Sequence, residues 1–386
     1  MNNIGIYIHI PFCKTRCGYC DFLTFDCGSE HYSPYKNALV KEMQAYKALK
    51  DYRITSIFIG GGTPTILPPN FIKEILSAVG KYNIAANAEI TVESNPGTLS
   101  PDMLRTLKNS GVNRLSMGLQ AWQNPLLKKI GRNHKLQDFL KNYNHARRLG
   151  FKNINVDLIF SLPYINSEKA AFKYWVETLR NVAELSPEHI SVYSLIIEEN
   201  TPFFEEYEKG NLIPQSQESD RRMYNFAINY LSKKGYTHYE ISNFAKEGKD
   251  CKHNMNYWQR GEYISFGLGA SSFVNGQRTR NITDIKKYIK VLNDPNYEPT
   301  QMIEESVEIT LKDAMSEFMY LGLRCTEGIS PKEFERSFGT PLHRVFGEYI
   351  QKNIANGLLY HKNGKIALTK QGINISNRVM SDFLLV

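Results

Sequence analysis

The sequence predicts an α/β protein. Six successive strand–helix units close, wholly or in part, into a TIM-like (β/α)6 barrel, and a small helical, winged-helix-like domain follows. Three observations carry this reading. Short β-branched runs alternate with longer amphipathic stretches through residue 235, as successive parallel βα units require. Residues able to do chemistry gather where those runs end, and in a barrel these ends share one face. From about Glu305 the pattern turns helical.

The expected strands are Gly5 to Ile10, Ser56 to Ile59, Ala88 to Glu93, Arg114 to Gly118, Ile154 to Ile159 and His189 to Tyr193. Amphipathic stretches separate them at Tyr32 to Lys50, Phe71 to Lys81, Met103 to Ser110, Leu136 to Leu149 and Lys169 to Glu184, with Asn, Ser, Pro and Gly at the joins. The sixth unit is less regular, with a loop through Thr201 to Pro214 before Ser219 to Lys233. In the tail, helices are expected over Leu311 to Leu323, Pro331 to Phe338 and Leu342 to Asn356. A hairpin around Asn363-Gly364 and a final helix close it. The expected domains are therefore a barrel over 1–235, a segment over 236–300 that completes it, and a C-terminal unit over 301–386.

Of the 386 residues 42% are hydrophobic, which suits a globular chain with a sizeable core. The net charge of +8 comes from 47 basic against 39 acidic residues and is dilute. With no run of five or six like charges, nothing marks a nucleic-acid arm. Weak attraction to anionic lipid, and hence peripheral attachment to a membrane, stays open, as does a homodimer. No segment approaches the roughly 18 to 20 apolar residues of a membrane-spanning helix. The opening MNNIGIYIHIPFC lacks a basic region before a signal-type apolar stretch, so a cytoplasmic address is the expectation.

Six cysteines, three of them within residues 13 to 20, suit metal binding in a reducing compartment better than a disulfide framework. The spacing C-x3-C-x2-C of Cys13, Cys17 and Cys20 puts three thiolates on one compact loop, enough to ligate three irons of a [4Fe-4S] cubane and leave a fourth open. An open iron can chelate the amino and carboxylate groups of S-adenosylmethionine (SAM) and pass an electron to its sulfonium. Structural zinc is the competing reading. It usually takes four ligands from paired C-x2-C units, and Cys27 is the nearest candidate for a fourth.

IYIHIPFCKTRCGYCDF resembles the cluster loop of the oxygen-independent coproporphyrinogen oxidase group of radical SAM proteins. The resemblance continues through GGGTPT at Gly60 to Thr65, VESNPG at Val92 to Gly97, SMGLQ at Ser116 to Gln120, GRNH at Gly131 to His134 and NVDLIFSLP at Asn155 to Pro163. It implies a radical SAM barrel with a [4Fe-4S] cluster on the three cysteines. It also implies that Gly61, Gly62 and Thr63 hold SAM together with Glu93, Tyr7 and Tyr19. Gln120, Arg132 and Asp157 match positions that contact a second SAM in the oxidase. Each has a plainer reading: a tight turn for the glycines, a strand terminus for Glu93, core or loop aromatics for the tyrosines. A carboxylate at Asp157, on a buried strand, needs a cation or hydrogen-bond partner. An ion pair with Arg132 is the alternative to ligand binding.

Two functions fit this resemblance. One is oxidative decarboxylation of coproporphyrinogen III in porphyrin biosynthesis; the other is binding of heme and its delivery to acceptor haemoproteins, as in the heme-chaperone branch of the family. Phe22 stands where the oxidase has a fourth cysteine, and H-N-x-x-Y-W at His253 to Trp258 looks like the chaperone branch's signature associated with heme. His253 is then the expected iron ligand, with Cys251 as a second candidate and Tyr257 and Trp258 as flat apolar surface. A loop histidine satisfied by hydrogen bonds, beside aromatic packing anchors, is the alternative.

Overall fold

The computed structural model describes residues 1–385 other than 27, 164 and 166. The six expected strands are all present: β1 (Asn2–Ile10), β2 (Tyr52–Gly61), β3 (Ile84–Ser94), β4 (Arg114–Gln120), β5 (Ile154–Phe160) and β6 (His189–Ser194). Each pairs in parallel with the next. The covering helices are α1 (Tyr32–Ala45), α2 (Pro69–Val79), α3 (Pro101–Asn109), α4 (Leu136–Arg148), α5 (Glu168–Glu184) and α6 (Gln217–Lys233). The expected loop after Thr201 contains a further short helix, Pro202–Glu208. The Thr201 hydroxyl caps it and a proline opens it, a start signal that is local and legible.

The sheet then grows at both edges. On one side come β7 (Thr237–Glu240) and β8 (Asn243–Ala245), both antiparallel. On the other, α7 (Lys252–Trp258) leads into β9 (Tyr263–Phe266), which pairs in parallel with β1. Antiparallel β10 (Ser271–Val274), β11 (Gln277–Asn281) and β12 (Ile303–Glu308) follow. Among the described residues twelve strands run in the order β12-β11-β10-β9-β1-β2-β3-β4-β5-β6-β8-β7, and the two end strands do not pair, so the barrel is open.

Strand periodicity sorts the side chains. In β1, Ile4, Ile6, Ile8 and Ile10 are fully buried under the helices, while Tyr7 and His9 alternate with them. The same alternation turns Phe58, Glu93, Arg114, Ser116, Asn155, Asp157, Ser191 and Tyr193 toward one common cavity. Six neighbouring parallel strands can line a single cavity only if the sheet curls, and this is the physical content of the partial barrel.

The C-terminal helices α8 (Leu311–Gly322), α9 (Pro331–Phe338) and α10 (Leu342–Ala355) build a second core around Met319, Phe334, Phe346 and Phe383. The hairpin β13 (Leu359–Lys362) and β14 (Lys365–Leu368) turns at Asn363 and Gly364, both at positive φ, as a tight two-residue hairpin needs. The last helix divides into two short ones, Lys370–Asn374 and Ser376–Ser381. No described helix is long and apolar enough to cross a membrane.

Candidate active site

The cysteine loop leaves β1 and is clamped at both ends. Phe12–Cys13 pair with Phe25–Asp26, and the Phe25 N–H bonds Pro11 O at 2.7 Å. Its far side is pinned by Gly18, whose N–H reaches Ile130 O at 3.4 Å and whose carbonyl accepts from Phe203 N at 2.9 Å. Added at Gly18, a Cβ would collide with the Phe203 ring, so glycine is required for this close approach. Cys13, Cys17 and Cys20 are partly exposed and free of disulfides. Burial raises the thiol pKa of Cys13 and pushes that of Cys20 up to about 11, and mutual repulsion adds to both. Binding a cationic metal centre relieves that repulsion. Among the described residues no three His, Cys, Asp or Glu side chains converge on a single ion. One thiolate per iron of a cubane needs no such convergence, whereas a lone zinc does. Cys27 lies outside the described residues.

Strand β2 delivers the glycine turn beside this loop. Gly62 N bonds Ile10 O at 2.8 Å and Thr63 N bonds Phe12 O at 2.7 Å, tying the turn to the loop's root. Gly61 has φ +107°, a conformation open to glycine, and its N–H donates to Glu93 Oε2 at 3.1 Å. At Gly62 a Cβ would lie 2.5 Å from Phe12 O, so backbone is packed on backbone here. The Thr63 hydroxyl accepts from Asn95 Nδ2 at 2.6 Å and lies 3.8 Å from Cys13 Sγ.

The open-mouthed cavity below holds about 330 Å³, within the usual range of small-molecule sites. Its walls carry Tyr7, Gly61, Glu93 and Asp157 from the expected set, with exposed Phe22 at the mouth. Burial, reinforced by Asp157, pushes the Glu93 carboxyl up to about 8, against the opposing pull of the Gly61 N–H and Arg114. Tyr7 bonds His9 Nδ1 at 3.0 Å, and burial holds its phenol well above the ordinary range.

Arg132 does not pair with Asp157. Its guanidinium donates to Asn95 Oδ1, to Gly118 O at 2.7 Å and to Cys17 Sγ at 3.6 Å, and it sits beside Tyr19. Asp157 instead accepts from Ser116 Oγ at 3.0 Å and Asn155 Nδ2 at 2.8 Å, neighbours on β4 and β5. The anticipated partner exists, but as two neutral donors. Gln120 has φ +70° and Arg132 is half-buried, and both carry a buried side-chain atom without a partner: Gln120 Oε1 and Arg132 Nε. Each of these atoms has left water without gaining a partner, so a polar ligand that reached either would supply the missing hydrogen bond.

The structure places His253 elsewhere. It is 1% exposed and lies inside the lower barrel, with Nδ1 2.9 Å from Ser56 Oγ, Nε2 2.9 Å from the Tyr257 hydroxyl, and its ring stacked on Phe58. Burial, with Arg114 nearby, pushes its pKa down to about 3, so it is a neutral ring with both nitrogens engaged. Cys251 is fully buried, bonds Glu89 Oε1 at 3.5 Å, and is pushed up to about 12 by the same burial. Neither lines the cavity that Tyr7, Glu93 and Asp157 share. Trp258 is covered by the Arg324 guanidinium at 4.3 Å. The motif thus bolts the barrel floor to the C-terminal helices.

Arg114 escaped the sequence reading. It is 2% exposed at the start of the fully buried β4, and its Nε has no hydrogen-bond partner among the described residues. The carboxylates of Glu89 and Asp157 lie near enough to favour its charge against the cost of burial. A charged residue on a strand otherwise fit for the core was the available signal, the same one that singled out Asp157.

Comparison with known proteins agrees with this geometry. The radical SAM superfamily model matches residues 7–173, and the HemN C-terminal domain model matches 309–375. The chain is 37% identical to the heme chaperone HemW of Bacillus subtilis over 381 residues, covering 98% of both chains. It is 32% identical to the heme chaperone HemW of Escherichia coli over 386 residues, covering 99% of this chain and 98% of the relative. The structure of the Escherichia coli radical SAM enzyme coproporphyrinogen III oxidase (HemN) superposes with a TM-score of 0.83 over 99% of this chain and 90% of its own. At 22% identity, this likeness speaks for the fold alone. Full-length similarity of this kind, together with the cysteine loop at the barrel mouth, means that the chain belongs to the HemW family within the radical SAM superfamily.

Proposed function

We propose that this protein is a heme chaperone. It binds heme as cargo and passes it to acceptor haemoproteins, using a [4Fe-4S] cluster on Cys13, Cys17 and Cys20 and SAM bound at the barrel mouth. The observation that carries the reading is Phe22. Where the oxidase resembled by this loop has a fourth cysteine, the chain puts an aromatic side chain, 61% exposed, on the cavity wall. Full-length relatives named as heme chaperones point the same way.

The residues present fit the cluster and SAM. Three partly exposed thiols crowd one loop, the Gly60–Thr63 turn lies against its root, and the Arg132 guanidinium reaches Cys17 Sγ at 3.6 Å. When bound, such a cluster supplies an electron to the sulfonium of SAM. The chain's own part is to position. Glu93 and the glycine turn present a carboxylate and backbone amides to an amino acid's ammonium and carboxylate, and Asp157, held by Ser116 and Asn155, offers a second acceptor deeper in the cavity.

The test is one anaerobic preparation, reconstituted with iron and sulfide. We expect it to bind heme at about one per chain and to leave coproporphyrinogen III unconverted in the presence of SAM and a reductant. Efficient decarboxylation without stable heme binding overturns the chaperone reading.

A further inference from the structure

His253 and Cys251 are sealed inside the barrel, but α7 has a second face. Its Tyr257 lines an open groove of about 360 Å³ between β9, β10, β11 and α8, together with Tyr263, Phe273 and Tyr320. Two guanidiniums frame it. Arg260 Nε donates to Glu317 Oε2 at 2.8 Å and Arg278 Nη1 donates to Glu317 Oε1 at 2.7 Å, and both lie over the Phe273 ring, at 4.9 and 5.3 Å. Glu317 is 3% exposed, so one buried carboxylate fixes both arginines while most of their N–H groups remain to be used. The local balance is two positive charges against one negative.

Arg260 supplies an independent sign. It follows α7 in the left-handed region, at φ +57°, where glycine or asparagine usually ends a helix. Gly261 is the next residue, so the strained position is filled by an arginine although a glycine adjoins it. Strain of this sort persists where the side chain is needed in place.

Aromatic walls, preset guanidiniums and an open mouth suit a planar, largely apolar molecule carrying carboxylates. Resting on the chaperone reading, we propose that this groove is the cargo site: the heme macrocycle lies against Tyr320 and Tyr263, with its propionates on Arg260 and Arg278. His253 then acts from behind, through its hydrogen bond to Tyr257, as a positioning residue. Because the groove is open and holds only about 360 Å³, cargo stays partly exposed, as transfer to an acceptor demands.

The experiment compares heme with its dimethyl ester, titrated anaerobically against the full-length, cluster-loaded protein and followed by absorbance. The wild-type chain is expected to bind heme at least about tenfold more tightly than the ester, the worth of a charge-assisted contact. Arg278→Gln leaves Glu317 paired with Arg260. It is expected to weaken heme about tenfold and to bring acid and ester within about twofold of each other, with a melting temperature lowered by only about a few degrees because Arg260 still pairs Glu317. Tyr320→Ala should weaken both ligands alike. Equal affinity of the wild-type protein for heme and ester overturns the proposal with no variant needed. Absence of heme binding altogether would instead overturn the chaperone reading.

Discussion

Replacing His253 by Ala is expected to destabilise the protein by about 3–5 kcal/mol, through a cavity in a dry interior and the loss of two hydrogen bonds. The ring fills the space beneath Gly5, whose added Cβ would lie 3.3 Å from His253 Nδ1, and it stacks on Phe58 at 5.3 Å. Deleting it leaves Ser56 and Tyr257 without their partner. A thermal or denaturant melt checks this, and a melt identical to wild type would contradict the placement. His253 also contributes acid sensitivity. With its folded pKa near 3 against 6.5 unfolded, the unfolded chain takes up a proton first, so stability present above pH 6.5 is lost as pH falls toward 3. His134, likewise about 3, and His189, also lowered by burial, act in the same direction.

Glu93 runs the other way. Its carboxyl, pushed up to about 8 by burial, keeps a proton between pH 4.5 and 8 that the unfolded chain releases. Stability therefore falls as pH rises through that window, by an amount on the order of a few kcal/mol, and levels off above 8. Glu93→Gln removes this slope, so the variant should outlast wild type at pH 8 and match it at pH 5. Ligand binding reads the same proton. A cationic ammonium prefers the ionised carboxylate, so SAM affinity should rise with pH up to about 8 in the wild type. In Glu93→Gln it should be weaker by at least about tenfold and flat with pH. Pairing melts with SAM titrations at four pH values decides it, and a wild-type affinity indifferent to pH would remove Glu93 from the site.

The barrel was legible because buried parallel strands are short apolar runs, often β-branched as in β1, β2 and β5, and because β4, RLSMGLQ with no β-branched residue, falls in step between such runs. Strands β9 to β12 were not. They are four to six residues long, and β11, Gln277–Asn281, reads QRTRN with no apolar alternation. Such strands exist because a neighbour's edge offers hydrogen bonds, which no local pattern reports. The site divides likewise. Cys13, Cys17, Cys20, Gly61, Gly62, Thr63 and Glu93 lie in contiguous motifs at strand ends, so resemblance carried them directly. That Asp157 is held by Ser116 and Asn155, and that His253 points inward, depend on register across strands far apart in sequence. A motif names its residues; burial assigns their work.

Everything proposed for the barrel mouth rests on a [4Fe-4S] cluster held by three thiols. Its most direct test is iron and acid-labile sulfide per chain, with the visible absorption, in reconstituted wild type and in the combined Cys13→Ala, Cys17→Ala, Cys20→Ala variant. About four irons and about four sulfides are expected per wild-type chain, and neither in a variant that still folds. Iron and sulfide retained by the variant, or a single zinc and no sulfide in the wild type, would contradict it.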